Sequence, residues 1–129
     1  MPFTRIILGE GRSEAWLAKL SHQLHRTLVD AFDVPADDRF QVIECLPASR
    51  LISDAHYSTG NRSPQQVQFH ITAGRPRSRE RKANFYRLLT QRLGEEPGIR
   101  PEDVMIVVQF NSPEDWCFGN GQLYDPERL

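Results

Sequence analysis

Two stretches of this chain read alike when one is slid along the other by 65 residues, the step from Ile6 to Ile71. The same step pairs Arg12 with Arg77, Ser13 with Ser78, Leu20 with Phe85, Leu24 with Leu89, Leu28 with Leu93, Val34 with Ile99 and Asp38 with Asp103. Apolar matches alone would arise between any two amphipathic segments. The matched Arg-Ser entry and the matched aspartate beyond each apolar stretch argue for one unit used twice.

Each unit reads strand, helix, strand. Phe3 to Leu8 is apolar and β-branched enough for a buried strand. Ser13 is a good N-cap, and Leu17, Leu20, Leu24, Leu28 and Phe32 then share one helical face until Val34-Pro35 ends the pattern. Arg39 to Leu46 alternates as a second strand. In the second unit Gln66 to Ala73 alternates, and Ser78 caps a helix carrying Phe85, Leu88, Leu89 and Leu93 inward. Gly98 marks its end, and Val104 to Phe110 is the most apolar strand. A long helix between neighbouring strands is the crossover that parallel pairing needs. The expectation is an α/β fold: a four-stranded sheet with two helices on one face, in a single domain over residues 1–129 whose halves span about 2–47 and 66–111. Asn120-Gly121 is the strongest hairpin-turn signal, so 116–118 and 122–124 are expected to pair as a C-terminal hairpin. Residues 47–65, rich in Pro, Ser, Gly and Asn, read as a long connection.

A length of 129 residues suits one domain able to bury a core without disulfide staples. Cys45 and Cys117 form no CxxC pair and no dense framework, which argues against a secreted disulfide scaffold. The longest strongly apolar run, Met105 to Val108, is far short of the ~20 residues of a membrane span. No signal-peptide core follows the first residues, so a cytoplasmic protein is expected. A formal net charge of −1 offers no global attraction to nucleic acid or to an anionic membrane. Inside that balance, Arg75 to Lys82 gathers five basic residues and one acidic one.

Several residues could carry chemistry. With the initiator Met removed, Pro2 becomes a secondary amine whose ordinary pKa range, near 8, lets it act as acid or base at neutral pH. A Pro at position two also simply favours Met removal, but here it stands directly at the start of a core strand. Arg75 and Arg77 sit at a helix N-terminus, where their charge opposes the dipole unless an anion binds there. The bland alternative is a solvated basic turn, and Arg79, Arg81 and Lys82 read as surface helix residues. Asp38 opens the second strand, where a carboxylate can stabilise the cationic form of an amine or stand as an exposed turn residue. Trp116 and Phe118, two apart, share one side of a strand and either wall a small-molecule pocket or cover the sheet. His22 and His25 lie one helical turn apart with no further ligand to complete a metal pattern. GxGxxG, P-loop and GxSxG motifs are absent, as is the aromatic strand signature of an RNA-recognition sheet.

These pieces converge. Pro2, Val34-Pro35-Ala36-Asp37-Asp38-Arg39-Phe40-Gln41, Arg75-Pro76-Arg77-Ser78, Phe85-Tyr86-Arg87-Leu88-Leu89-Thr90 and Asp115-Trp116-Cys117-Phe118-Gly119 resemble the tautomerase superfamily, most of all its malonate semialdehyde decarboxylase branch. The resemblance covers nearly the whole chain and is poorest from about Cys45 to Gln66. It implies that Pro2 is the catalytic amine, that Asp38 assists it, that Arg75 and Arg77 hold the substrate carboxylate, and that Trp116 and Phe118 form an aromatic wall. It implies no cofactor and no metal, a small anionic carboxylate as substrate, and a homotrimer in which Tyr124 to Leu129 lies near a neighbouring subunit. The activity it implies is decarboxylation of malonate semialdehyde to acetaldehyde and carbon dioxide, with hydratase side activity. Keto–enol tautomerisation of a 2-oxo acid such as phenylpyruvate is the alternative. Sibling dehalogenases use a helix histidine and a late glutamate, to which His22, His25 and Glu114 correspond by type alone. A ferredoxin-like RNA- or partner-binding module has the same element order and would make Arg75 to Lys82 a nucleic-acid patch.

Overall fold

The chain begins as a strand at its second residue. β1 (Pro2–Gly9) leads to α1 (Glu14–Phe32) and β2 (Phe40–Leu46); β3 (Val67–Ala73) leads to α2 (Arg79–Glu95) and β4 (Val104–Phe110). The computed structural model describes residues 1–127, so the reading of the tail over Tyr124 to Leu129 falls partly outside the described residues, at Arg128 and Leu129. Ser13 Oγ accepts the Trp16 N–H at 3.1 Å and Ser78 Oγ the Arg81 N–H at 3.2 Å, so both expected caps start their helices. α1 stops where Asp33 turns left-handed at φ 55°. Gly98, at φ 102°, returns its N–H to the Leu93 carbonyl at 2.9 Å beyond α2.

The sheet order is β2-β1-β3-β4. β1 pairs parallel with β2 and β3 with β4, while β1 and β3 meet antiparallel at the centre. A ferredoxin-like sheet splits each β-α-β unit around an inserted strand. Here the two strands of each unit are direct neighbours, which excludes that arrangement. Among the described residues no helix is long and apolar enough to cross a membrane.

One sheet face carries the core. Ile6, Leu8, Val67, Phe69 and Ile71 pack beneath Leu20, Leu24, Leu28 and Phe32 of α1 and Phe85, Leu89 and Leu93 of α2, all buried. Phe32 stacks on Phe85 with centroids 4.4 Å apart, locking the two helices together. The opposite face has no helix. Phe3, Phe40, Val42, Met105 and Val107 stand there between 37% and 45% exposed, crossed by an Arg5–Glu44 ion pair.

The C-terminal segment differs from the hairpin expected of it. Asn120 and Gly121, at φ 60° and 66°, do make the expected tight turn, and Gln122 N–H bonds Gly119 O at 3.3 Å. Only the Tyr124 N–H to Trp116 O bond, at 2.9 Å, then joins the two arms, and neither is a strand. The reason lies in the first arm. Trp116 closes a 3-10 turn (Pro113–Asp115), its indole is held by Asn111, and Gly119 bends the chain at φ 143°. An arm anchored this way cannot run straight beside a partner.

Candidate active site

The strand pairings decide which residues meet at the chain terminus. Antiparallel register sets Pro2 opposite Ala73, and parallel register sets Ala73 opposite Phe110. The β1 start, the β3–α2 link and the exit of β4 therefore gather at one end of the sheet, and the loop after α1 reaches the same end. Together with Tyr124 and Pro126 they line a cavity of about 440 Å³, whose wall includes Met1, Asp38, Arg75 and Arg77.

Met1 continues β1 by one residue. Its carbonyl accepts the Gly74 N–H at 3.3 Å, and its ammonium donates to Asp38 Oδ2, in an ion pair mostly shielded from solvent. Pro2 is buried immediately behind it. Gly74 is required by closeness: a Cβ there would run into the Met1 side chain and lie 2.8 Å from Trp116 Nε1.

The two arginines differ in what they can still offer a ligand. Arg77 is half-buried. Its Nη1 donates to Arg75 O and its Nη2 to Phe32 O, each at 2.6 Å, and its guanidinium lies over the Phe32 ring. Burial first, then the charges of Arg75 and Arg81, push its pKa down to about 10, so it remains a cation at neutral pH. Its buried Nε–H has no protein partner. The Arg75 side chain is exposed and makes no hydrogen bond or ion pair among the described residues.

Arg81, read from the sequence as a surface helix residue, is part-exposed and has partners on α1. Its Nη2 donates to Ala31 O at 2.9 Å and to Asp33 Oδ2 at 2.7 Å. Two successive carbonyls at the end of α1 thus each receive a guanidinium, a favourable place for positive charge. Lys82 is half-buried too, with Nζ 5.5 Å from the Phe110 ring centroid.

Trp116 and Phe118 stack on each other, centroids 5.5 Å apart at 15°, from a loop and not from a strand as spacing suggested. Trp116 Nε1 donates to Asn111 Oδ1 at 2.7 Å. Phe118 meets Phe40 at 5.4 Å and the edge of Tyr124 at 5.2 Å. Neither ring of the expected aromatic wall is in the lining of the cavity, whereas Tyr124 is. His22 is exposed, and His25 Nε2 is taken by Ala36 O at 2.8 Å. Asn111, Gly74 and Arg81 escaped sequence reasoning. Only Gly74, at a strand end before Arg-Pro-Arg, carried a local signal.

At the matching place in the second unit lies a smaller cavity of about 310 Å³, lined in part by Arg12, Gly98, Ile99 and Asp103. There Asp103, 1% exposed, accepts the Ser63 backbone N–H at 2.6 Å and the Ser63 hydroxyl at 2.7 Å.

Two parallel β-α-β units joined antiparallel, with a cavity at the chain terminus, define a tautomerase-type enzyme. The chain belongs to the tautomerase family: the family model described as "Tautomerase enzyme" matches residues 38–119. It is 41% identical over 122 residues to the probable tautomerase YusQ of Bacillus subtilis (strain 168), covering 95% of this chain and 96% of that protein. It is 38% identical to the probable tautomerase YrdN of the same organism, covering 95% and 94%. Among solved structures, malonate semialdehyde decarboxylase superposes with a TM-score of 0.88 at 36% identity, over 94% of this chain and 93% of that one. A symmetric trimer of fused 4-OT shares the fold, with a TM-score of 0.76 at 18% identity over 94% of each chain.

Proposed function

We propose that this enzyme decarboxylates a short 3-oxo acid, malonate semialdehyde being the reference case, with Pro2 as its catalytic amine. The observation that carries the reading is the chain terminus held on Asp38 in a cavity shared with Arg75 and Arg77. Removal of Met1 leaves the Pro2 secondary amine as the terminal nitrogen beside Asp38. Arg75, free of partners, binds the substrate carboxylate. Arg77 adds a fixed positive field and its unpartnered Nε–H. Breaking the bond to the carboxylate sends an electron pair into the carbonyl, and a cationic Pro2 stabilises the enolate by hydrogen bonding. Alternatively, the amine condenses with the carbonyl to form an iminium, a stronger electron sink. Asp38 stabilises the cationic amine. Similarity to a decarboxylase described with hydratase activity supports water addition as a side reaction.

Keto–enol tautomerisation of a 2-oxo acid is the second reading, favoured by the names of the curated relatives. It needs a neutral Pro2 acting as base, which the two nearby arginines favour and Asp38 opposes. The discriminating experiment incubates the Met-free protein with malonate semialdehyde and phenylpyruvate side by side. Carbon dioxide and acetaldehyde from the first, with little enol–keto exchange of the second, is expected. The reverse pattern establishes the tautomerase, and full activity in Pro2→Ala sinks both. A homotrimer is proposed as the working assembly, supported by the uncovered apolar sheet face and by the trimeric fold relative.

A further inference from the structure

We propose that this site prefers a 3-oxo monocarboxylate whose carbonyl carbon carries an apolar group of about phenyl size over the three-carbon acid, which it still accepts. The inference rests on the decarboxylation reading for its chemistry and on the cavity for its substrate class. A volume of about 440 Å³ lies in the range of pockets that enclose drug-sized ligands. A three-carbon oxo acid would leave most of that space to water. The lining is also divided. Arg75, Arg77, Asp33 and Asp38 supply charge and Asn111 and Ser112 polar groups, whereas Val34, Pro35, Pro113, Tyr124 and Pro126 supply an apolar wall stiffened by prolines. A substrate with an apolar tail displaces water from that wall, and a small polar acid does not.

Two further observations narrow the class. The Met1 side chain, itself an unbranched apolar chain, lines this cavity and ends in the space a Gly74 Cβ would take. Its removal with the initiator residue would vacate a slot of apolar shape beside Asp38. The cation count is the second. Arg77 has committed both terminal nitrogens to backbone carbonyls, which leaves Arg75 as the one fully available guanidinium of the pair. One free fork matches one carboxylate, not a dicarboxylic acid.

The reaction balances simply. The bond between Cα and the carboxylate carbon breaks, its electron pair forms the enolate, and carbon dioxide leaves. A proton from the Pro2 ammonium or from water then goes to Cα, and the product is the methyl ketone. The test measures kcat/KM for carbon dioxide release from 3-oxopropanoate, 3-oxobutanoate, 3-oxohexanoate and 3-oxo-3-phenylpropanoate, each corrected for spontaneous loss. In parallel, calorimetry compares the affinities of the inert acids propanoate and 3-phenylpropanoate. We expect kcat/KM to rise at least about tenfold from the three-carbon to the phenyl substrate, and 3-phenylpropanoate to bind at least about tenfold tighter than propanoate. A measurable kcat/KM that stays flat or falls with tail size overturns the proposal, as do equal affinities. No carbon dioxide from any substrate, with the binding preference intact, would remove the decarboxylation reading and support the apolar-carboxylate site.

Discussion

The Arg77 guanidinium donates to the Phe32 carbonyl at 2.6 Å and lies 5.0 Å from the centroid of the Phe32 ring. One residue at the end of α1 thereby fixes, through both its backbone and its side chain, a cation of the site. Arg75, two residues away, has no such tie. Arg77→Ala is therefore expected to lower stability by about 2 kcal/mol, the range for a charge-assisted hydrogen bond, and to reduce turnover as well. Arg75→Ala is expected to leave stability within about 0.5 kcal/mol while raising KM for a carboxylate substrate. Urea unfolding and steady-state kinetics on the two variants separate these effects.

The place Met1 occupies on Asp38 makes the start of the chain decisive. A protein with any residue ahead of Pro2 is expected to show no Pro2-dependent turnover, and proteolytic exposure of Pro2 to restore it. Mass spectrometry of the terminus, paired with the activity assay, checks this.

Gly74 leaves no room for a side chain between Met1 and Trp116. A methyl group there meets the indole Nε1 at 2.8 Å, closer than the wall can tolerate without moving. Gly74→Ala is expected to cost about 1–3 kcal/mol through overpacking and to lower kcat/KM more than the exposed neighbour Pro76→Ala. Thermal melts and kinetics on both variants read the difference.

How far the chain explains itself differs between fold and site. Both helices, their caps and the four strands were legible because alternation and three-to-four spacing report burial directly, as in Val67, Phe69 and Ile71 or Leu20, Leu24 and Leu28. Asp38, Arg75 and Arg77 could be picked out because a carboxylate at a strand start can hold an amine and because two arginines at a helix N-terminus oppose its dipole unless an anion binds there. What sequence spacing could not encode was competition for the same polar groups. Arg81 looked like solvent-facing helix because nothing local shows that the end of α1 lies beside it. Trp116 and Phe118 had strand spacing, but the Asn111 carboxamide claimed the indole and Gly119 bent the arm.

Glu44 accepts from Arg5 Nε at 2.7 Å and Nη2 at 3.1 Å on the uncovered sheet face. The hydrogen bond from Arg5, and secondarily its charge, hold this carboxyl below its ordinary 4.5. The folded state then binds fewer protons than the unfolded state in the acid range. The contribution is complete above the ordinary value and is lost as pH falls through the lowered one. The Tm gap between parent and Glu44→Gln is expected to be small, since the pair is exposed, and to close as the pH falls through the lowered value.

Val42 and Val107 stand on that face in the two edge strands, each more than a third exposed. Charges there oppose burial against another subunit and touch nothing in the monomer core. Val42→Lys combined with Val107→Lys is expected to convert the proposed trimer to monomer without unfolding it. Light scattering together with circular dichroism tests both halves of that statement.

Asp38 and Asp103 hold equivalent places, but one receives a terminal ammonium and the other a peptide N–H. A polypeptide has only one beginning. Two such units encoded separately would each carry their own amine, whereas two on a single chain must share it. Under the role proposed for Pro2, linkage in one reading frame gives up half the reactive ends and leaves the loops of the second unit to serve as scaffold.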